Sequence, residues 1–210
     1  MFSFFKKSPT PIPFRDKVWK TENAAIKGLL MIAMMKLQKG QSCLVVSFFP
    51  TELERLKLFM QEYQMKFVLL DDFAREELPE VGIFIMSASF LSKSTWPNSL
   101  SNSASRFGGE VHFSGHYPIQ AKENPVLESL SHKGFNSFVF CLSFDDPLLK
   151  MFGSENILPL LEQLGLEDEE SLEHKMITQS ISRAREKLEK KVSREITAHS
   201  PQEWFEKNVK

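Results

Sequence analysis

The sequence contains only two cysteines and no long apolar run, and both absences narrow the class of protein. Cys43 and Cys141 lie in apolar segments that predict buried strands, where a free thiol packs as a small hydrophobic group, so no disulfide framework is indicated. No apolar stretch approaches the roughly 20 residues that cross a bilayer. The N-terminal apolar run is too short for a signal peptide, and its lysines follow it instead of preceding it. We therefore expect a cytoplasmic protein with no direct membrane insertion.

An excess of charge of one sign is also missing. The formal net charge is -1 at pH 7, whereas a general nucleic-acid binder usually carries a basic surface, so no nucleic-acid partner is expected. The phosphate-binding pattern G-x-x-x-x-G-K-[ST], the dinucleotide pattern G-x-G-x-x-G and the hydrolase pattern G-x-S-x-G do not occur. Phenylalanine, in contrast, is abundant, with 19 residues against two tyrosines. This excess favours a thick apolar core or a buried partner surface over stacking chemistry.

Short apolar segments separated by helical patterns predict a parallel α/β sheet. Thr21 begins a helix that Gly40 ends, and Pro50 begins a second one. Because β-α-β units pack as right-handed parallel crossovers, we expect one sheet flanked by helices. The predicted strands are 42–48, 66–70, 81–86, 110–114 and 138–142. The Ser/Asn-rich segment 87–109 between the third and fourth strands predicts a long loop.

The last part of the sequence is predicted to be helical. Apolar residues spaced mostly by three or four positions form one stripe on a charged helix; they are Leu172, Met176, Ile177, Ile181, Ala184, Leu188 and Val192. We expect this stripe to bind a protein partner or a second copy of the chain. The residues predicted to make that contact are Met176, Ile181, Leu188 and Val192. The predicted organisation is an irregular leader at 1–16, an α/β domain at 17–153 and a helical extension at 154–210.

Several runs of the sequence resemble the SecA preprotein translocase ATPase family. The run L-S-F-D-D-P-L-L-K-M-F-G-S-E-N, then L-G-L-E-D-E-E-S-L-E-H and I-S-R-A-R-E-K-L-E, is similar to the end of the second SecA motor domain and the start of its helical scaffold. Upstream, F-R-D-K-V-W-K-T-E-N-A and K-G-Q-S-C-L-V-V resemble the beginning of the same motor domain. The resemblance implies a RecA-like sheet of the P-loop-NTPase type, followed by a scaffold helix.

The residues with which that family hydrolyses ATP are absent. The family stretch T-N-M-A-G-R-G-T-D corresponds to residues 87–95, where its glycines, arginine and aspartate are missing. A second stretch, L-R-G-R-x-G-R-Q-G-D, supplies arginine fingers for phosphoryl transfer. Here Val126, Glu128 and Ser131 occupy its arginine positions. The resemblance therefore implies a protein that keeps the fold and has lost the ATPase, and we predict no enzymatic activity, no catalytic residues, no cofactor and no metal.

Two other functions stay open. In the first, the chain is a nucleotide-binding subunit that completes an ATPase site on a separate motor subunit. Lys93, Arg106 or Lys133 then replaces the missing arginines. In the second, the chain is a small hydrolase that uses Asp71 or Asp72, although no nucleophile and base accompany them in the sequence.

Metal binding is not indicated by the histidines. His112 and His116 are four residues apart, which on a strand is about 13 Å, too far to share one zinc ion. His116 also corresponds to a histidine of the SecA pattern. We therefore expect packing or turn roles for these side chains.

Overall fold

The computed structural model describes residues 12–72, 78–93, 96, 104–163 and 165–209. Within these residues six parallel strands form one sheet. The strands are β1 (Arg15–Trp19), β2 (Cys43–Ser47), β3 (Phe67–Leu69), β4 (Ile83–Ser87), β5 (Glu110–Phe113) and β6 (Ser137–Ser143). Their spatial order is β1-β6-β5-β2-β4-β3, so β1 and β3 lie at the edges. The predicted parallel α/β class is confirmed.

Helices cover both faces of the sheet. They are α1 (Glu22–Gln38), α2 (Pro50–Glu62), α3 (Phe90–Lys93), α4 (Gln120–His132), α5 (Pro147–Met151), α6 (Ser154–Gln163), α7 (Lys175–Lys191) and α8 (Pro201–Asn208). One apolar layer joins α1 and α2 to Val45 and Ile85 of the sheet. The opposite layer joins α4, α7 and α8 to Val46, Phe113 and Phe140. Every residue of β2 is buried, as expected of a strand covered on both faces.

The strand β1 is the element that the sequence pattern missed. Three of its five residues are charged, so it lacks the apolar character of a buried strand. It is nevertheless held by a parallel ladder to β6, in which Val18 lies opposite Leu142. Because β1 begins at Arg15, the expectation of irregular structure at 1–16 is wrong for the last two residues, and residues 1–11 of that leader lie outside the described residues.

The C-terminal helices share the core of the α/β sheet. The segment before α7 bonds to β1, since the Val18 N–H donates to the Leu172 carbonyl at 3.0 Å and the reverse bond is 2.8 Å. Leu188 of α7 and Trp204 of α8 are both 0% exposed and lie in the same apolar cluster as the strands. The helical extension is thus packed on the sheet that precedes it.

The Ser/Asn-rich segment is described only in part. Its described ends are α3 and a 3-10 turn at Ala104–Phe107. Phe107 is buried and contacts Phe84 edge to face, with ring centroids 5.5 Å apart. This end of the predicted loop is therefore tied to the core, while residues 94–95 and 97–103 lie outside the described residues.

Candidate functional site

The carboxyl ends of β2 and β5 are where a ligand is expected in this sheet. From β2 the chain passes through α2 to β3, and from β5 it passes through α4 to β6 in the opposite direction. Ligands of open α/β sheets bind in the crevice outside neighbouring strands whose connections diverge in this way. A cavity of about 320 Å³ lies at this crevice.

Carboxylates dominate the lining of the cavity. Glu22 begins α1, Glu52 lies in the first turn of α2, and Asp145 and Asp146 follow β6. Among the described lining residues Arg55 alone is basic, and its guanidinium pairs with Glu22. The start of α8 closes one side. Four carboxyl groups and one paired guanidinium therefore leave no free cation among the described residues of this lining.

Two of these acids are held in surroundings that favour the protonated form. Burial raises the pKa of Glu52 well above its usual range, and the charge of Asp146 raises it further, against a 3.3 Å hydrogen bond donated by the Ser47 hydroxyl. Burial also raises the pKa of Asp146 to about 6, although its carboxylate caps α5 by accepting from the Leu148 N–H at 2.8 Å. A Cβ on Gly115 would lie 2.9 Å from Glu52 Oε1 and 3.9 Å from Asp146 Oδ2. The bare glycine therefore leaves room for both acids.

The three residues that the resemblance predicts at arginine-finger positions lie on α4 and carry no positive charge. Val126 is partly buried against the core, Glu128 is exposed, and Ser131 is partly exposed. None of these three described residues is among those that line the cavity. The helix therefore supplies no guanidinium to a phosphate at these positions.

The cations that could replace the missing arginines, Arg106 and Lys133, lie at the amino ends of the strands, away from the cavity. Arg106 Nε donates to the Ser42 hydroxyl at 3.2 Å, just before the amino end of β2, and its Nη2 donates to the Pro79 carbonyl. Lys133 follows α4, and its Nζ lies 5.3 Å from the ring centroid of Trp96. The expectation that either replaces the missing arginines is wrong for this arrangement, and the side chain of Lys93 lies outside the described residues.

Asp71 joins the carboxyl ends of β3 and β4. Its carboxylate accepts from the Ser87 N–H at 2.8 Å and also from the Ser87 hydroxyl. These are the contacts of a structural turn acid, and Asp72 has a side chain outside the described residues. Ser87, the first residue of the segment that corresponds to the family's nucleotide-binding stretch, thus links the ends of β3 and β4.

His112 and His116 are both buried, in different surroundings. His112 Nε2 lies 3.0 Å from Glu110 Oε1, and burial lowers the pKa of this histidine. The ring of His116 stacks on Phe140 with centroids 3.8 Å apart. Across the part of the chain that the structure describes, no three His, Cys, Asp or Glu side chains are arranged to hold a metal ion.

The residues predicted to bind a partner on α7 divide into two groups. Ile181 and Leu188 are 2% and 0% exposed, because α7 lays this face on the sheet and on α4. The expectation that they form an outer binding surface is therefore wrong in this conformation. Val192 is partly buried against the same core, whereas Met176 is 68% exposed.

A cluster of buried charges holds α7 in place, and the sequence pattern did not predict it. Arg185 Nη1 donates to Glu123 Oε1 at 2.9 Å and lies 3.1 Å from His116 Nδ1, and Nη2 donates to the Tyr117 carbonyl at 2.7 Å. The other ring nitrogen of His116 lies 2.8 Å from Asp16 Oδ1. We call Asp16, His116, Glu123 and Arg185 the buried charge cluster. One feature of the sequence could have indicated this cluster: an arginine, Arg185, directly follows Ala184 of the apolar stripe.

An exposed apolar surface lies on α1 instead. Met31, Met34 and Met35 are 58%, 50% and 50% exposed, and their spacing of three and four places them on one side of the helix. We call these three residues the methionine surface. Methionine is flexible and polarizable, and it is common on surfaces that adapt to protein partners.

The all-parallel sheet with helices on both faces and a cavity at its carboxyl edge defines a RecA-like α/β domain. The SecA subunit of Halothermothrix orenii is 27% identical over 191 residues, covering 83% of this chain and 22% of the relative. The SecA subunit of Caldicellulosiruptor saccharolyticus is 25% identical over 183 residues, with the same coverage. That of Sulfurimonas denitrificans is 46% identical over 50 residues. The chain is SecA-like, and its resemblance to a second SecA motor domain is confirmed.

The similarity to SecA is limited in extent. The chain spans about a fifth of the length of the curated relatives that it matches along most of its own length, at 22%. No family model matches. Two solved structures have a similar layout: the C-terminal part of the Fun30 ATPase domain, at TM-score 0.44 and 16% identity over 79% of this chain and 54% of that one, and the C-terminal domain of a possible DNA helicase from Lactobacillus plantarum, at TM-score 0.43 and 10% identity over 63% and 74%.

Among the described residues, no helix combines the length and the apolar character that crossing a membrane requires.

Proposed function

We propose that this chain is a non-catalytic SecA-like domain that acts in the cytoplasm by binding another protein, in connection with protein export. The relatives at 27% and 25% identity are named protein translocase subunits, and this supports the link to export. The charge of the cavity supports the loss of catalysis. The methionine surface supports the binding role.

The observation that carries the proposal is the acidic lining of the cavity. Catalysis of phosphoryl transfer depends on cations that neutralise the developing charge on the phosphate. At this edge Glu52, Asp145 and Asp146 face the cavity, and the guanidinium of Arg55 is already paired with Glu22. Asp146 is ionised above about pH 6 and repels a polyphosphate, and among the described lining residues no cation is left unpaired, so the domain is not suited to bind or hydrolyse ATP.

Thermal unfolding with nucleotide tests this half of the proposal. A ligand that binds only the folded state must raise the melting temperature. We expect that magnesium ATP in large excess causes no rise beyond that caused by sodium chloride at equal ionic strength. A saturable rise with ATP would overturn the proposal and favour the alternative, a nucleotide-binding subunit of a separate motor. The positions of Arg106 and Lys133 at the far edge weigh against that alternative.

The binding surface that we propose is the methionine surface of α1. Its three side chains are at least half exposed, while the apolar stripe of α7 is largely covered by the chain itself. Desolvation of flexible apolar side chains is a general source of binding free energy, and an unbroken apolar patch is the usual place for it.

A pair of charge substitutions tests that surface. Met31→Glu with Met34→Glu should leave the melting temperature within about 1 °C to 2 °C of the unaltered chain, since surface substitutions usually change stability little. We expect the double variant to lose the complex, measured by sedimentation velocity and by co-purification with mass spectrometry. Met176→Glu is the matched control, because Met176 is an equally exposed methionine on another helix. If only the Met176→Glu control loses the complex, the binding surface lies on α7 and not on α1.

A further inference from the structure

The buried charge cluster joins four separate parts of the fold at the seam between α7 and the sheet. Asp16 belongs to β1, His116 to the loop before α4, Glu123 to α4 and Arg185 to α7. Each of the four is at most 4% exposed. Within the described residues, Asp16 Oδ2 and Arg185 Nε have no hydrogen-bond partner. Because the cluster is buried, the protonation state of each member matters for the docking of α7.

Hydrogen-bond geometry favours a doubly protonated His116 ring. Nε2 lies 2.8 Å from Asp16 Oδ1, and Nδ1 lies 2.9 Å from Glu123 Oε2. An ionised carboxylate only accepts hydrogen bonds, so both short contacts are satisfied only when both ring nitrogens carry hydrogen. The contact that favours a neutral ring is the longest of the three, at 3.1 Å from Nδ1 to Arg185 Nη1.

The balance of charges in the cluster also favours the doubly protonated ring of His116. With a neutral His116, two carboxylates face one guanidinium and the cluster keeps one buried negative charge, whereas protonation makes it neutral. Burial lowers the pKa of His116, but the attraction of Glu123 and Asp16 outweighs burial and the repulsion of Arg185, so the pKa is raised. Asp146, beyond the cluster, also interacts with the ring and favours the charged form when it is itself ionised.

We propose that the docking of α7 on the sheet is coupled to the protonation of His116, so that this helix is held while the ring is charged and is released as the pH rises and the ring loses its proton. A histidine whose pKa is higher in the folded state stabilises it fully below the unfolded pKa, and this contribution is lost as the pH rises through the folded pKa. Release of α7 uncovers Ile181 and Leu188, the apolar residues that it now buries. The inference does not depend on the proposed function.

The remaining polar contacts between α4 and α7 are longer and less buried. Gln120 Nε2 donates to the Ser182 carbonyl at 3.2 Å in a part-buried position. The Ala121 N–H donates to Glu189 Oε1 at 3.3 Å in an exposed position. Among the contacts of the described residues, the buried charge cluster therefore supplies the shortest and most buried polar connection between α4 and α7.

Hydrogen exchange of the whole chain tests the coupling. The α7 amides are followed from about pH 6 to about pH 9, a range that includes and exceeds the ordinary histidine pKa of about 6.5. After correction for intrinsic exchange, the protection of α7 should fall by up to about tenfold per pH unit between the unfolded and the folded pKa of His116, and it should level off above the folded pKa. Protection of α7 that stays constant across this range would overturn the proposal.

Asp16→Asn isolates the role of charge. With one carboxylate removed, a neutral His116 leaves the cluster without net charge, so α7 should stay docked and its pH dependence should vanish. His132→Gln, at an exposed histidine of α4, is the matched control and should keep the dependence. An Asp16→Asn chain that keeps it would contradict the proposal. If that variant does not fold, the ring nitrogen chemical shifts of His116 in the unaltered chain decide: an imidazolium at neutral pH supports the coupling, and a neutral ring overturns it.

Discussion

Gly28 of α1 lies directly against the indole ring of Trp19. A Cβ on this glycine would lie 2.3 Å from Trp19 Cζ2, a distance that real Cβ atoms do not adopt. The indole cannot easily move away, because it is 3% exposed and its Nε1 donates to the Glu169 carbonyl at 3.2 Å. Close packing between α1 and the edge strand β1 therefore requires the absence of a side chain at this position.

Gly28→Ala should destabilise the protein although alanine is the better helix former. The propensity gain is about 1 kcal/mol, and overpacking a rigid aromatic contact costs about 1–3 kcal/mol, so we expect a net loss of up to about 2 kcal/mol in the free energy of unfolding. Urea denaturation measures it. The double variant Gly28→Ala with Trp19→Phe should lose less than the sum of the single changes, and simple additivity would contradict the packing argument.

Asp146→Asn should stabilise the protein above about pH 6, the pKa to which burial raises this group. The folded state holds the proton more tightly than the unfolded state, so ionised Asp146 destabilises the fold, and the penalty disappears below the ordinary carboxyl pKa of about 3.9. Asparagine keeps the cap on α5. We expect a gain of about 1–2 kcal/mol at neutral pH that is lost on acidification. Melting temperatures across pH measure it, with Asp145→Asn at the exposed neighbour as the control.

Arg185→Ala should cost about 3–5 kcal/mol in the free energy of unfolding, because Asp16 and Glu123 then remain buried without a cation from α7. Arg183→Ala, two positions away on the exposed side of the same helix, should change it by less than about 0.5 kcal/mol. Chemical denaturation of the two variants gives the comparison. Equal effects would show that the buried charge cluster contributes no more than a surface arginine.

Trp204→Ala should cost about 3–5 kcal/mol and detach α8 from the core. Trp204 is 0% exposed, and its Nε1 donates to Glu195 Oε1 at 2.8 Å. Because the start of α8 closes one side of the acidic cavity, the cavity should also open to solvent. Denaturation measures the loss of stability, and faster hydrogen exchange at Glu203, whose N–H donates to the Ser200 hydroxyl at 3.0 Å, measures the detachment. Glu206→Ala, at an exposed residue of the same helix, should change neither.

Local signals in the sequence predicted much of the fold. The five predicted strands are present, because short apolar runs bounded by turn signals favour strands packed against helices. Helix starts were equally readable: Thr21, Asp146 and Ser200 accept hydrogen bonds from N–H groups in the first turn, at Ala24, Leu148 and Glu203. Each of these signals spans a few residues, so a single sequence is enough to detect it.

For the candidate site, the sequence predicted only which ATPase residues are missing. The resemblance to SecA predicts that Val126, Glu128 and Ser131 replace arginines, but the sequence did not show that Glu22, Glu52 and two aspartates meet in one cavity. These four acids come from three distant segments, and only the sheet topology brings them together.

The sequence alone determined the α/β class, most of the strands, the helix starts and the relationship to SecA, because each depends on composition, periodicity or similarity along the chain. The tertiary structure alone decided that the charged segment at Arg15–Trp19 is a strand, since its ladder partner in β6 lies more than a hundred residues away. It also decided that Ile181 and Leu188 face inward. A periodic apolar stripe shows which side of a helix is to be covered, and only the packing of the whole chain decides whether its own sheet or another protein covers it.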